Sequence, residues 1–214
     1  KTDSAVNHFK KAIELNPQHT DAHFKLGSIY YRNKRHGEAK AELDLALRYN
    51  PENHKANFYI GKMLKDKKDF AGALNSFEKS QRDPELKVKS LLERGSCYIS
   101  VKNYERGITE LERAIANSDN SGQEMLFARY FLAHCFEQRR DIDKAIEQWE
   151  LVYAKKPTFR DVGEKLSQYQ DLRTDDMMKD YLTAGREDFL DICKKLTASM
   201  GMSIRDMTEV QNGC

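Results

Sequence analysis

The 214-residue chain has little of what most function classes require: 4 prolines, 11 glycines, 4 cysteines and a single tryptophan. So few turn formers argue against an all-β protein, whose many hairpins need them. Cys97, Cys135, Cys193 and Cys214 are far apart and form no CxxC pair. Structural zinc sites need clustered thiolates and small disulfide scaffolds need a higher density, so neither is expected, and Cys97 and Cys135 read as small buried hydrophobes. A reduced, cytosolic setting is the milder expectation from this usage. There is also no surplus of charge. Lys+Arg 36 against Asp+Glu 34 leave +2, which argues against a nucleic-acid module driven by bulk positive charge. No run approaches the roughly 18 apolar residues of a membrane span, and mean hydropathy is −0.79. Aromatics nevertheless make up 10% of the chain, enough for a packed core.

What is present is a period. Gly27, Gly61 and Gly95 stand 34 residues apart, and so do Ala5, Ala39, Ala73 and Gly107. Pro17 and Pro51 keep the same step, and Pro84 comes one residue early. Ala133 and Ala145 continue the pattern 38 residues beyond Gly95 and Gly107, the extra four fitting the loop-forming run from Asn117 to Gly122. Such self-similarity marks a repeat architecture. His23, Leu26, Ile29 and Tyr30 have helical spacing around Gly27, where a neighbouring helix must come close. Ala39, Leu43, Ala46 and Leu47 form a second amphipathic stretch, and Asn50-Pro51 ends it. Each unit therefore reads helix, turn, helix, turn. Gly61 is expected to face Ala73 across such a pair.

At these residues the chain resembles the tetratricopeptide repeat family. Leu26, Gly27, Tyr30, Ala39, Leu43, Ala46 and Pro51 carry the motif, and Ile60, Gly61, Leu64, Ala73, Phe77, Ser80 and Pro84 carry it again. Leu91, Gly95, Tyr98, Gly107, Leu111 and Ala114 follow without a proline. Leu132, Ala133, Phe136, Ala145, Trp149, Val152 and Pro157 follow with one. Gly107 weakens one helix and Val152 widens one packing position. The resemblance covers about residues 1–170. It implies an all-α fold, a right-handed α-solenoid of helix-turn-helix repeats with a capping helix and an extra C-terminal helix. The expected divisions are a partial repeat over 1–18, repeats over 19–52, 53–86, 87–121 and 122–158, a capping helix over 159–173 and a helical tail over 174–214. Val6 and Phe9 are expected to be exposed where a preceding helix would pack, which suggests a longer chain.

In the tail, Met178, Tyr181, Leu182, Phe189, Ile192, Cys193 and Leu196 predict a helix over 175–200, with Gly185 as a point of interruption. Asp175 and Asp176 suit its first turn, Gly201 its end. Ser203–Val210 alternates poorly as a strand, and Asn212-Gly213 reads as a turn. Phe189, Cys193, Leu196, Met200, Gly201 and Ile204 also resemble the opening helix and strand of an Mrr-like restriction-endonuclease fold. The metal-binding residues of that family would lie beyond Cys214, so none is carried over.

No catalytic constellation stands out. His19 and His23 lie four apart, but His19 falls in a turn and His23 at a packing position. His134 stands alone on the expected concave side, with no Ser/Asp or Cys/His constellation to make it catalytic. No metal or cofactor is expected. The resemblance instead implies a concave groove lined by the first helix of each repeat. Its expected lining is Phe24, Ser28 and Tyr31, then Lys55, Phe58, Lys62 and Lys65, then Lys89, Leu92 and Ser96, then Phe127, Tyr130 and His134. Aromatics beside lysines suit an extended peptide with apolar anchors and acidic character. Glu42 and Glu110 are expected on the outer helices. Chaperone-binding members use lysines and asparagines to clamp a carboxylate. Phe24, Lys25 and Ser28, or Phe58, Tyr59 and Lys62, stand at those places here, which puts that role in doubt. The expected function is a non-catalytic scaffold for a protein or peptide partner. The alternatives are a regulatory arm of a longer, nuclease-like enzyme and a self-association module acting through its terminal helices.

Overall fold

The computed structural model describes residues 2–118, 122–174 and 184–200, and among them are eleven helices and no strand. They are α1 (Thr2–Leu15), α2 (Thr20–Arg32), α3 (His36–Tyr49), α4 (His54–Asp66), α5 (Phe70–Ser80), α6 (Lys87–Ser100), α7 (Tyr104–Ala116), α8 (Gln123–Gln138), α9 (Ile142–Lys155), α10 (Val162–Thr174) and α11 (Arg186–Ser199). The chain forms two compact units, Lys1–Phe136 and Glu137–Cys214.

In the first unit the turns between repeats are built from the residues that flank each proline. Asn16 Oδ1 accepts the Gln18 N–H at 3.0 Å, Asn50 Oδ1 that of Glu52 at 3.1 Å, and Asp83 Oδ1 that of Glu85 at 2.9 Å. Each side chain closes its own turn, as Asx residues do. The next helix then starts on a side-chain cap: His19 Nδ1 accepts from Ala22 N and Asn53 Oδ1 from Ala56 N. Proline's carbonyl is held too. The buried His23 ring donates from Nε2 to the Pro17 carbonyl at 2.9 Å, while its Nδ1 lies 2.7 Å from Glu42 Oε2. Asn57, 34 residues later, donates to the Pro51 carbonyl at 3.0 Å. The same place in two repeats thus does the same work with two different side chains.

The turns within a repeat use another device. Arg35 N–H reaches Tyr30 O and Lys34 N–H reaches Tyr31 O, the paired bonds of a Schellman cap. Asp69 and Lys68 repeat the pair on Leu64 and Lys65, and Asn103 and Lys102 on Tyr98 and Ile99. The residue in the left-handed conformation is lysine each time: Lys34 at φ 59°, Lys68 at 62° and Lys102 at 58°. Glycine adopts that conformation without the penalty a side chain brings.

Within each pair, glycine of the first helix receives a large side chain of the second. A methyl group at Gly27 would stand 2.8 Å from Leu43 Cγ, at Gly61 2.8 Å from the Phe77 ring, and at Gly95 2.7 Å from Leu111. Leu43, Phe77 and Leu111 are all fully buried there. Phe77, rather than the expected Ala73, therefore fills the space at Gly61, because the larger residue one turn on reaches across the pair. Gly107 has its own reason: a methyl there would lie 3.2 Å from Cys135 Sγ. Burial pushes the Cys97 thiol up to about 11 and the Cys135 thiol up to about 12.

A buried ion network joins α5, α6 and α7. Arg94 donates from Nε and Nη2 to both carboxylate oxygens of Glu110 at 3.1 and 3.0 Å, and Nη1 pairs with Glu78. Arg113 also donates to Glu110 at 3.2 Å. Burial works against the charge of Arg94, but its two carboxylate partners hold its pKa above the ordinary value. Glu110 is 6% exposed and Glu42 is tied to His23, so these two residues of the second helices α3 and α7 are held by partners within the protein. At the start of the unit, Val6, Phe9 and Ile13 of α1 are partly buried against the core of the first full repeat. The expected exposure of Val6 and Phe9 is therefore reduced, because α1 lies against α2.

In the second unit, α10 packs on α9 with Tyr169 stacked on Trp149 at 5.4 Å. Glu137 accepts from Tyr169 Oη at 2.7 Å and from Lys165 Nζ at 2.5 Å, and with burial this raises the Tyr169 phenol above its usual pKa. The tail helix α11 starts at Arg186, after an extended Gly185 at ψ 171°, so no helix runs through Gly185. Phe189 is buried, with the Arg140 guanidinium 5.4 Å from its ring centroid. The expectations for Met178, Tyr181, Leu182, Gly201, Ile204, Ser203–Val210 and Asn212-Gly213 lie outside the described residues.

Two outcomes follow from this packing. Lys68→Gly relieves the left-handed strain, so denaturant unfolding should show a gain of about 1 kcal/mol, and Lys68→Val a loss. Cys97 and Cys135, buried and held as thiols, should react with a thiol reagent at pH 8 only as fast as the protein opens. Immediate labelling of either in the folded protein would contradict their placement.

Candidate functional site

The first helices of successive repeats, α2, α4 and α6, lie side by side in the first unit. Their shared face carries a run of aromatic rings. Tyr31 and Tyr59 meet edge to face at 5.3 Å, Tyr59 and Phe58 at 6.1 Å, and Phe58 and Phe77 at 5.8 Å. The Lys62 ammonium stands 5.8 Å from the Tyr31 ring centroid and 5.9 Å from that of Phe58. This is a cation over two π faces, worth about 0.5–1 kcal/mol at an exposed site. Tyr31 also donates to Asp66 Oδ2 at 3.5 Å. Its burial, with the charges of Asp66 and Glu93 nearby, pushes the phenol up to about 12, so it remains a hydrogen-bond donor at neutral pH.

The lysines expected to greet an acidic peptide are largely committed inside the protein. Lys55 pairs with Glu85 at 3.2 Å, Lys65 with Glu93 at 2.6 Å and Lys89 with Glu124 at 3.7 Å. Lys65–Glu93 and Lys89–Glu124 each join one repeat to the next, and Lys55–Glu85 ties the start of a repeat to its closing turn. Lys62 differs: among the described residues its contacts are rings, not carboxylates. Two other expected residues are interior. Phe24 is 7% exposed and packs on Tyr59 at 6.0 Å, and Ser28 is 4% exposed with its hydroxyl donating to the Lys25 carbonyl. Tyr31, Phe58, Leu92, Ser96, Phe127, Tyr130 and His134 are partly exposed. Further along the unit, Phe127 and Phe131 lie 6.3 Å apart, Tyr130 and Phe131 5.8 Å, and His134 meets Tyr104 edge to face at 6.5 Å.

The first unit accordingly has two aromatic patches, one around Tyr31–Phe58–Lys62 and one around Phe127–Tyr130 of α8. Tyr59, which the sequence places only at a clamp position, lies outside the expected lining, although its ring contacts with Tyr31 and Phe58 make it part of the patch. In the second unit a cleft of ≈ 390 Å³ opens between α9 and α10, lined by Ile146, Glu150, Tyr153, Gly163, Leu166, Ser167 and Tyr169. Among the described residues no three His, Cys, Asp or Glu side chains cluster as a metal site would need. No described helix is long and apolar enough to cross a membrane.

Tetratricopeptide repeat family models match residues 1–57 and 92–158. Anaphase-promoting complex subunit 3 of Schizosaccharomyces pombe is 23% identical over 145 residues, 68% of this chain and 21% of that protein. BBSome complex member BBS4 of Bos taurus is 31% identical over 113 residues, 52% of this chain and 22% of that one. The chain spans about a fifth of the length of these curated relatives. Among solved structures, YrrB, described as a TPR protein with an unusual peptide-binding site, superposes with a TM-score of 0.65 at 18% identity, covering 90% of this chain and 96% of that one. PilW, a type IV pilus biogenesis factor, gives 0.67 at 17%, covering 94% and 87%. At such identities these two likenesses speak for the fold alone. The resemblance of the tail to an Mrr-like endonuclease gains no support from these comparisons. The 34-residue period, the glycine-filling helix pairs and the matched family models agree, and the chain belongs to the tetratricopeptide repeat family.

Proposed function

We propose that the protein is a non-catalytic interaction scaffold that holds an extended segment of a partner protein along the shared face of its first helices. The observation that carries this reading is the Tyr31–Phe58–Lys62 patch. It offers partly exposed rings, a phenol held by Asp66, and a lysine with no carboxylate partner among the described residues, all on packed helices. Rings on a preorganised surface bury large area with little loss of freedom, and a few such anchors dominate binding. The relatives' printed names, subunits of the anaphase-promoting complex and of the BBSome, are those of assembly members, which fits a role in holding proteins together.

Because Lys55, Lys65 and Lys89 are internally paired, the charge offered along this face comes mainly from Lys62. The preference should therefore be for apolar anchors with one carboxylate rather than for a uniformly acidic peptide. Partners recovered with the intact chain should map to a linear segment. Against that segment Tyr130→Ala should weaken binding by about 2 kcal/mol. Lys62→Glu should act chiefly on the association rate, with an effect that shrinks as salt rises. Phe58→Ala also removes packing against Phe77, so its binding must be read beside its melting curve. If Glu112→Lys on the exposed side of α7 abolishes capture while Tyr130→Ala and Lys62→Glu bind normally, the working face is the outer one.

A further inference from the structure

The repeat turns carry a second charged feature, separate from the aromatic face. Lys34, Lys68 and Lys102 occupy the same place in three successive repeats, are exposed, and have a positive φ. Backbone conformation gives no reason for lysine there, since glycine would adopt it more easily. A cation does favour a helix C-terminus, but it could sit anywhere in the last turn and need not take the strained position. None of the three has a carboxylate partner among the described residues, whereas Lys55, Lys65 and Lys89 on the inner face all do.

Because α2, α4 and α6 pack side by side in one direction, their closing turns share one edge of the first unit. Tyr31 at the end of α2 reaching Asp66 at the end of α4 shows this directly. Over residues 32–38, 66–69 and 101–106 the sequence has seven Lys/Arg against four Asp/Glu. Three of those carboxylates are occupied: Glu38 by Arg35, Asp69 by the Gly72 N–H, and Asp66 by Tyr31. The edge therefore carries a net charge of +3, with one lysine per repeat that has no carboxylate partner among the described residues.

Packed helices lie about 8–10 Å apart. A polyproline-II segment has three residues per turn at about 3.1 Å each, so every third side chain returns to one face after roughly 9 Å. We propose that this edge binds an extended acidic segment of a partner protein with a carboxylate at about every third position. A protein segment is favoured over nucleic acid because the lysines come singly, one per repeat, rather than as a continuous basic stripe, and the whole chain is only +2.

The test uses the full chain and a fluorescent peptide of three Glu-Pro-Pro units, followed by anisotropy at low salt. Its Gln-Pro-Pro analogue, an isomer with adjacent glutamates and a short DNA duplex serve as competitors. The Lys34→Gly/Lys68→Gly/Lys102→Gly variant removes the charges while easing the backbone, so it should melt higher than the parent. It should bind the peptide about tenfold more weakly, the sum of three exposed charge pairs. The glutamine analogue should not compete, and the adjacent-glutamate isomer should compete less well. Undiminished binding by the triple glycine variant overturns the proposal, as does failure of the parent to bind. Equal competition by the isomer overturns the spacing, and DNA competing as well as the peptide overturns the choice of a protein segment.

Discussion

Everything in the first unit depends on one steric fit, a missing side chain on one helix filled by a large one from its partner. At Gly27, Gly61 and Gly95 the second helix of the pair comes so close that even a methyl group would meet Leu43, Phe77 or Leu111 at 2.7–2.8 Å. That closeness sets the crossing of each pair and with it the course of both turns. It also decides which side of the first helix remains outside. Because the pair is locked, the rings of Tyr31, Phe58 and Tyr59 stand on a fixed frame. A surface of this kind needs no rearrangement to receive a ligand, and preorganisation is where such a scaffold gains affinity.

Polar groups pin what the steric fit brings together. Arg94 and Glu110 sit deep between helices; removing either leaves the other only its more exposed partner, Glu78 for Arg94 or Arg113 for Glu110, a loss below the roughly 3–5 kcal/mol of a fully uncompensated buried charge. At the surface the ion pairs Lys65–Glu93 and Lys89–Glu124 join consecutive repeats, and Lys55–Glu85 ties the start of one repeat to its closing turn. Exposed pairs contribute little each. Their larger effect here is on function, since they neutralise the face and leave Lys62 as its distinctive charge.

Helix identity and period were legible in the sequence because the determinants are local: a proline with its Asx neighbour, a small residue, a large one, each at a fixed step. The glycine contact was legible as a close approach, but not its partner, because whether Ala73 or Phe77 reaches Gly61 depends on how the pair crosses. Charge roles were the least legible. Glu110 and Lys65 look like solvated residues on paper, and their partners Arg94 and Glu93 belong to other helices. Phe24 illustrates the same gap: its spacing placed it on the inner face, yet its neighbour Tyr59 covers it. Lys34, Lys68 and Lys102 drew no reading from the sequence, because a positive φ at a lysine cannot be read from residue type, which would suggest glycine there.

The steric fit is tested most directly by a double-mutant cycle in urea at Gly61 and Phe77. On its own, Gly61→Ala should destabilise the protein by about 1–3 kcal/mol through overpacking. With Phe77→Val in place the ring is gone, and the same change should become neutral or stabilising, because alanine is the better helix former by about 1 kcal/mol. The two changes should then be coupled by at least about 1 kcal/mol. If their effects add within about 0.5 kcal/mol, the glycine is not where the helices interlock, and the frame of the binding face has another origin.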